Sequence, residues 1–145
     1  MLGSQIRDAF SAAALPADEP ISIETFDDEG AAERFKLSHW RDHGFAELKE
    51  LTPCLSFLTP KAFCFFLPAC LLASLEDPAS WFAAEVASRL VPPKNDPSRQ
   101  SYSAWWTLLT RDQRAAVVAF LKLMQSMYGA VPEADIGRLE AHDVA

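Results

Sequence analysis

The sequence has 145 residues, of which 50% are hydrophobic and 23% charged, and its formal net charge is −7. This length fits one domain with a buried core, and the apolar fraction excludes a wholly disordered chain. Three cysteines are too few for a disulfide-dense scaffold, and an isoelectric point near 4.9 argues against a general nucleic-acid binder.

The start of the chain predicts no secretory signal, because residues 1–10 alternate polar and apolar side chains. The longest apolar stretch, residues 62–75, is shorter than the roughly 18–20 residues that span a bilayer, and Pro68 divides it. We therefore expect a cytoplasmic protein that does not enter the membrane. We expect Cys54, Cys64 and Cys70 to be reduced thiols in or beside the core.

The first third of the chain predicts helices interrupted by an acidic segment. Residues 2–15 have the apolar spacing of an amphipathic helix, which Pro16 and Pro20 end. Residues 18–33 contain seven acids and no base. Near residues 20–26, apolar side chains alternate with polar ones, which predicts a short strand or hairpin. A helix that begins after Asp27 or Asp28 is predicted to run to residue 37 with Phe35 inward.

The central segment carries the clearest helix signals. Phe45 and Leu48 continue a helical spacing, and Thr59 followed by Pro60 is typical of a helix N-terminus. Pro68 is expected either to kink that helix or to end it. A next helix is predicted to begin with Asp77 as its cap, and its apolar stripe is expected to consist of Trp81, Phe82, Val86 and Leu90.

The last third predicts a loop over residues 92–103, a long helix and a polar tail. Thr110 and Gln113 have the spacing of a capping box, and Gly129 is a typical terminator. Only Ile136 and Leu139 anchor residues 130–145. We therefore predict an all-α, compact single-domain bundle of about five to six helices over residues 1–129, with a loosely docked tail over residues 130–145.

Three motifs together resemble a family of proteins. They are Trp40, the pattern F-L-T-P-x-x-F-x-x-x-L-P from Phe57 to Pro68, and L-T-x-x-Q from Leu109 to Gln113. They resemble a small bacterial family catalogued only as a domain of unknown function, and the similarity covers about residues 1–128. The resemblance implies a fold and a bacterial source, and it transfers no catalytic residue because each motif position is a cap or a core residue.

Two histidines offer the clearest candidate for chemistry. His39 and His43 are four residues apart, with Asp42 beside them, so in a helix they share one face. A zinc site needs a third ligand, for which Asp27, Asp28 or His142 are candidates, and the zincin pattern needs a glutamate where Trp40 stands. The alternative interpretation is a helix end with His43 as a cation near the negative terminus.

Other catalytic and nucleic-acid signals are weak. The sequence has no nucleophile elbow and no glycine-rich phosphate loop, so we assign no catalytic residue and no cofactor. Residues 91–129 carry five bases against two acids, together with Tyr102, Trp105 and Trp106. Trp105 and Trp106 are expected to pack the loop onto the core rather than to stack on nucleic acid.

The acidic segment is the best candidate for binding a partner. Clustered carboxylates attract a basic protein, and an aromatic side chain among them serves as an anchor. The predicted partner-binding residues are Glu24, Phe26, Asp27, Asp28, Glu29 and Glu33. We therefore predict a non-catalytic interaction protein, of the immunity or antitoxin kind, that is a monomer or a weak homodimer. The alternative is a metal-binding protein or enzyme that uses His39, Asp42 and His43.

Overall fold

A computed structural model describes residues 1–16, 19–21, 35, 39–50, 58–92, 102–129, 131 and 133–144 of the chain. Within them, helices follow one another without a β-sheet, which confirms the all-α prediction. The helices with defined ends are α1 (Leu2–Ala9), a 3₁₀ helix (Trp40–Asp42), α2 (Phe45–Glu50), α3 (Pro60–Glu76), α4 (Trp81–Leu90), α5 (Arg111–Tyr128) and α6 (Glu133–Val144).

Helix α3 is the centre of the bundle. It is apolar around most of its circumference, so no single face is left for water. Helices α1, α2 and α4 and the 3₁₀ helix all pack against it. Its buried residues are Ala62, Phe65, Phe66, Leu67, Pro68, Ala69, Cys70, Leu71, Ala73 and Ser74. The apolar stretch over residues 62–75 is therefore core, and no helix among the described residues has the length and hydropathy needed to cross a membrane.

Helix α3 starts where the sequence predicts and continues through its internal proline. Thr59 is the N-cap, with its hydroxyl accepting the Ala62 N–H at 3.3 Å, and Pro60 occupies the first helical position. Pro68 is buried inside the helix, which continues to Glu76. Pro68 therefore does not end the helix, which was one of the two predicted outcomes. Proline has no backbone N–H and so removes one helical hydrogen bond, but the packing around α3 stabilises the helix despite this loss.

The first helix is shorter than the periodicity predicts. Helix α1 ends at Ala9, and Phe10 closes it in a non-helical conformation. The end carbonyls have other donors: Ser11 Oγ donates to the Asp8 carbonyl, and Gln113 Nε2 donates to the Ala9 carbonyl. These side chains replace the bonds that further helical turns would supply.

The predicted start of α4 is wrong by three residues. Asp77 and Ser80 form a turn closed by a backbone hydrogen bond of 3.0 Å, and Ser80 rather than Asp77 caps the helix by accepting the Ala83 N–H. With this register Phe82 faces the core, whereas Trp81 is 65% exposed. Trp81 is therefore not part of the apolar stripe, because it lies about 100° around the helix from Phe82.

The predicted loop over residues 92–103 ends earlier than expected, because residues 102–106 are helical. Tyr102, Trp105 and Trp106 are buried, and the Tyr102 hydroxyl donates to the Leu90 carbonyl at 2.7 Å. This burial confirms that Trp105 and Trp106 pack on the core, and Tyr102 is buried beside them. They are not exposed as stacking platforms for nucleic acid.

Helix α5 has both predicted end signals. Thr110 and Gln113 form the reciprocal capping box, and Gly129 ends the helix with φ of 62°, a left-handed conformation that glycine adopts without a Cβ clash. Helix α5 contacts α1, α4 and α6. The segment predicted as a tail contains α6, whose Ile136 and Leu139 are buried. The division of the chain at residue 129 stays a prediction.

Removal of the Thr59 hydroxyl tests the start of α3. This hydroxyl accepts from Ala62 and also donates to the Pro20 carbonyl at 2.9 Å. Thr59→Ala is expected to lower the free energy of unfolding by about 1–2 kcal/mol, since it removes a cap and a tertiary hydrogen bond. Thr59→Ser keeps the hydroxyl and is the matched control. Urea unfolding followed by circular dichroism measures both, and equal losses in the two variants would contradict the assignment.

Candidate functional site

The predicted partner-binding residues lie outside the described part of the chain. The predicted role of Asp27 or Asp28 as a helix cap lies outside it too. These partner-binding residues are Glu24, Phe26, Asp27, Asp28, Glu29 and Glu33. Of the strand or hairpin predicted near residues 20–26, only residues 20 and 21 are described. The structure does describe the residues on either side of this segment, and these locate its attachment to the bundle.

The near end of the acidic segment is attached to the first turn of α3. Thr59 donates its backbone N–H to the Ile21 carbonyl at 3.0 Å and its hydroxyl to the Pro20 carbonyl at 2.9 Å. Glu19 forms an ion pair with Lys61, with 3.6 Å between the carboxylate oxygen and Nζ. Two hydrogen bonds and one ion pair thus fix residues 19–21 beside the helix N-terminus.

The far end is attached to the same helix. Phe35 is fully buried, as its predicted inward position requires. Its ring centroid lies 4.6 Å from that of Phe66 and 5.0 Å from that of His43. Thr59 and Phe66 are seven residues apart on α3, a rise of about 10 Å along the helix axis. Residues 22–34 therefore connect two attachment points on one helix.

The two histidines do not share a helical face. The segment between them is a single 3₁₀ turn, Trp40–Asp42, and both histidines have extended backbone conformations at its ends. His39 Nδ1 accepts the Arg41 N–H at 3.1 Å, and the Asp42 carboxylate accepts the His39 N–H at 2.8 Å. His39 and Asp42 therefore form a capping box, an arrangement that the helical spacing did not anticipate.

His43 has a structural environment of its own. Its Nδ1 lies 2.7 Å from a carboxylate oxygen of Glu47, and its side chain is 4% exposed. Its ring also packs edge-on against Phe66, with 5.4 Å between the centroids. Among the residues with described positions, no three histidine, cysteine, aspartate or glutamate side chains converge in a way that would hold a metal ion.

A cleft that the sequence analysis missed lies beside these residues. It has a volume of about 340 Å³ and lies between α1, the 3₁₀ helix, the start of α2 and the C-terminal half of α3. Its charged or polar lining residues are Arg7, Trp40, Arg41, His43 and Glu76, and the rest of the lining is Gly44, Phe45, Ala69, Leu72 and Ala73. The sequence carries no local signal for it, because these residues come from separate elements.

Trp40 and Arg41 form one wall of the cleft. The Arg41 guanidinium carbon lies 4.5 Å from the centroid of the Trp40 ring, a cation–π distance. Trp40 is 3% exposed, and none of the described residues supplies an acceptor for its indole N–H. A buried donor without an acceptor is rare in folded proteins.

The two described cysteines are free thiols in apolar surroundings. Desolvation by burial raises the pKa of Cys64 from 9.0 to about 12. Burial also raises the pKa of Cys70 to about 12, an effect that the nearby Arg89 partly opposes. Both thiols are therefore protonated at neutral pH, and a protonated thiol is a poor nucleophile. Cys54 lies outside the described residues.

A second cleft, of about 450 Å³, lies beside the end of α1 and the first turns of α3. Its lining is mostly apolar and consists of Ala9, Ala12, Ala13, Ala14, Leu15, Pro16, Lys61, Cys64, Phe65, Leu108, Thr110 and Gln113. The Cys64 thiol turns to the Trp105 carbonyl at 3.1 Å, where it donates a weak hydrogen bond. Lys61, which also lines this cleft, forms the ion pair with Glu19 described above.

The chain belongs to a protein family whose function is not known. The model of the family of unknown function DUF6714 matches residues 2–135, which includes every helix from α1 to α5. No curated protein and no solved structure matches the chain. The match confirms the expected membership of a family of unknown function, and it leaves the function to be argued from the residues.

Cysteine labelling tests the protonation of the two thiols. At about pH 8, iodoacetamide is expected to leave Cys64 and Cys70 of the folded protein unmodified while it labels the urea-unfolded chain, because only the thiolate reacts. Peptide mass spectrometry separates both sites from Cys54. Comparable labelling of folded and unfolded protein at Cys64 or Cys70 would contradict the assignment.

The same pKa values predict a loss of stability in alkali. The folded state holds the two thiol protons more tightly than the unfolded chain, so their contribution to stability is complete below pH 9.0 and decreases as the pH rises toward about 12. The Cys64→Ala, Cys70→Ala double variant is the control. Its urea midpoint is expected to fall less between about pH 8 and pH 10 than that of the wild type.

Proposed function

We propose that this member of DUF6714 binds a protein with a basic surface through its acidic segment, residues 18–33, and that it catalyses no reaction. The observation that carries the proposal is the charge pattern: seven acids and no base within 16 residues of a chain with net charge −7. Such a cluster increases the association rate of a positively charged partner and repels an acidic one. The residues proposed to contact the partner are Glu24, Phe26, Asp27, Asp28, Glu29 and Glu33.

The attachment of this segment to α3 supports the proposal. Residues 19–21 are fixed at Thr59 and Lys61, and Phe35 is fixed at Phe66, so a rigid helix sets the positions of both ends. Fixed ends reduce the conformational entropy that a chain segment loses on binding. Because Glu19 already has Lys61 as its partner, the acids beyond residue 21 are the ones proposed for intermolecular contact.

The environment of the candidate reactive residues favours binding over catalysis. His39 and Asp42 cap the 3₁₀ helix, and His43 lies against Glu47 and two phenylalanine rings. Cys64 and Cys70 have raised pKa values because they are buried. Each of these side chains therefore has a structural environment that accounts for it without chemistry.

The partner class that we propose is a basic toxin, which the chain neutralises in the cytoplasm of a bacterium as an immunity protein or antitoxin. A small acidic protein that covers a basic surface by charge complementarity suits this role, because nucleic-acid-degrading toxins present positive surfaces to phosphate. A toxin gene next to the gene for this chain would be an independent genetic sign of the same role.

Charge reversal within the segment tests the proposal. The wild type and the Asp27→Lys, Asp28→Lys variant are used as bait in a lysate of the source bacterium, and a retained basic protein is purified for calorimetry. The reversal is expected to raise its dissociation constant at least about tenfold, with the larger loss at low salt, because two attractive charges become repulsive. Phe26→Ala is expected to weaken binding without changing the salt dependence.

The matched control reverses two acids elsewhere. Asp8 and Glu50 are exposed and stand in the last turns of α1 and α2, where lysine suits the helix dipole. Asp8→Lys, Glu50→Lys changes the net charge by the same amount and is expected to leave binding intact. If both double variants lose the partner equally, or if neither loses it, the acidic segment is not the binding surface.

A further inference from the structure

We propose that the cleft beside Trp40 is a binding site for a small organic monocarboxylate, whose carboxylate pairs with Arg7 and Arg41 and whose apolar part lies on α3. The proposal is independent of the protein partner considered above, because it rests on different residues. The cleft, of about 340 Å³, lies near the lower end of the size range of small-molecule sites.

The positive charge of the cleft is not neutralised by the described residues. Arg7 and Arg41 both line it, and no described carboxylate lies within 4.0 Å of either guanidinium. Of the other four described arginines, Arg89 lies 3.3 Å from Glu85 and Arg138 pairs with Asp135, whereas Arg111 and Arg114 have no described carboxylate within 4.0 Å. Two arginines face the cleft against the single carboxylate of Glu76, which forms no ion pair with either, and this excess of positive charge favours an anion as its occupant.

The Arg41 guanidinium is held in place before any ligand arrives. One side of it lies over the Trp40 ring at 4.5 Å, and the backbone N–H of the same residue donates to Nδ1 of His39 at 3.1 Å. His39 is itself fixed as the cap of the 3₁₀ helix. A guanidinium that is already ordered loses less entropy on binding an anion than a free side chain does.

The Arg7 side chain, which lines the cleft, lies over Gly3. A Cβ atom placed on Gly3 would stand 3.3 Å from Nη1 of Arg7 and 4.0 Å from a methyl group of Leu72. The missing side chain of Gly3 therefore leaves the space in which the Arg7 guanidinium lies. Arg7 is thus brought close to Leu72, which is a lining residue of the same cleft.

Trp40 contributes its indole ring to the same wall. Its side chain is 3% exposed and its Nε1 is buried, so the N–H of the ring is not offered to a ligand. The donors available to a carboxylate are the two guanidinium groups of Arg7 and Arg41, whose N–H groups match its several lone pairs.

The α3 wall defines the rest of the ligand. Ala69, Leu72 and Ala73 have the spacing of one helical face, and the two alanines leave room for an apolar group beside them. Glu76 lies one turn further along and also lines the cleft. Its negative charge opposes a second charge on the ligand, so the arrangement selects a monocarboxylate over a phosphate dianion.

Titration of the full chain with defined anions tests the site. The probes are hexanoate, benzoate, acetate and inorganic phosphate, followed by calorimetry and by heteronuclear NMR. Hexanoate or benzoate is expected to bind at least about fivefold more tightly than acetate, because only these two cover the apolar wall. Phosphate is expected to bind more weakly than either. The proposal is wrong if no probe binds, or if acetate binds as well as both larger carboxylates.

Charge-neutral variants assign the contacts. Arg7→Gln and Arg41→Gln are each expected to weaken hexanoate binding about tenfold, since each removes a charge-assisted hydrogen bond. Arg111→Gln changes an exposed arginine of α5 outside the cleft and is the matched control, with no expected effect. Glu76→Gln is expected to strengthen binding. If the control weakens binding as much as Arg41→Gln, the effect is one of net charge and the cleft is not the site.

Discussion

Covering a helix that has no polar side is the constraint on which this structure depends. Helix α3 buries residues all around its axis, so the chain must surround it, and four other helical elements do so. The same requirement explains how Pro68 is tolerated in mid-helix: packing on every side outweighs one missing hydrogen bond. Both ends of the acidic segment and one wall of the Trp40 cleft are built on this helix.

Helix ends were the most predictable part of the fold. Thr59 with Pro60, and Thr110 with Gln113 and Gly129, act through bonds between near neighbours, so their meaning is contained in a few consecutive residues. The start of α4 shows the limit of this argument. Asp77 and Ser80 are both good caps, and the register of Phe82 against the core decides between them. That decision depends on packing with α3, which no local pattern contains.

The candidate sites were less predictable than the helices. His39 and His43 have the spacing of a metal pair only if the backbone between them is helical, and a 3₁₀ turn with its own capping box separates them. Arg7, Arg41 and Glu76 are far apart in sequence and share a cleft only because α1 and the 3₁₀ helix both pack on α3. The acidic segment could be recognised early because charge accumulates in sequence and needs no tertiary contact.

Phe35 and His43 give the two proposed sites a common boundary. The ring of Phe35, which ends the acidic segment, contacts His43, and His43 in turn lines the Trp40 cleft. Occupancy of one site changes the affinity of the other if it shifts these two side chains. Thermodynamic linkage then requires reciprocity: if one occupant changes the affinity of the other by some factor, the second changes the affinity of the first by the same factor. A metabolite and a macromolecule would in this way report on each other through two tilted rings in contact.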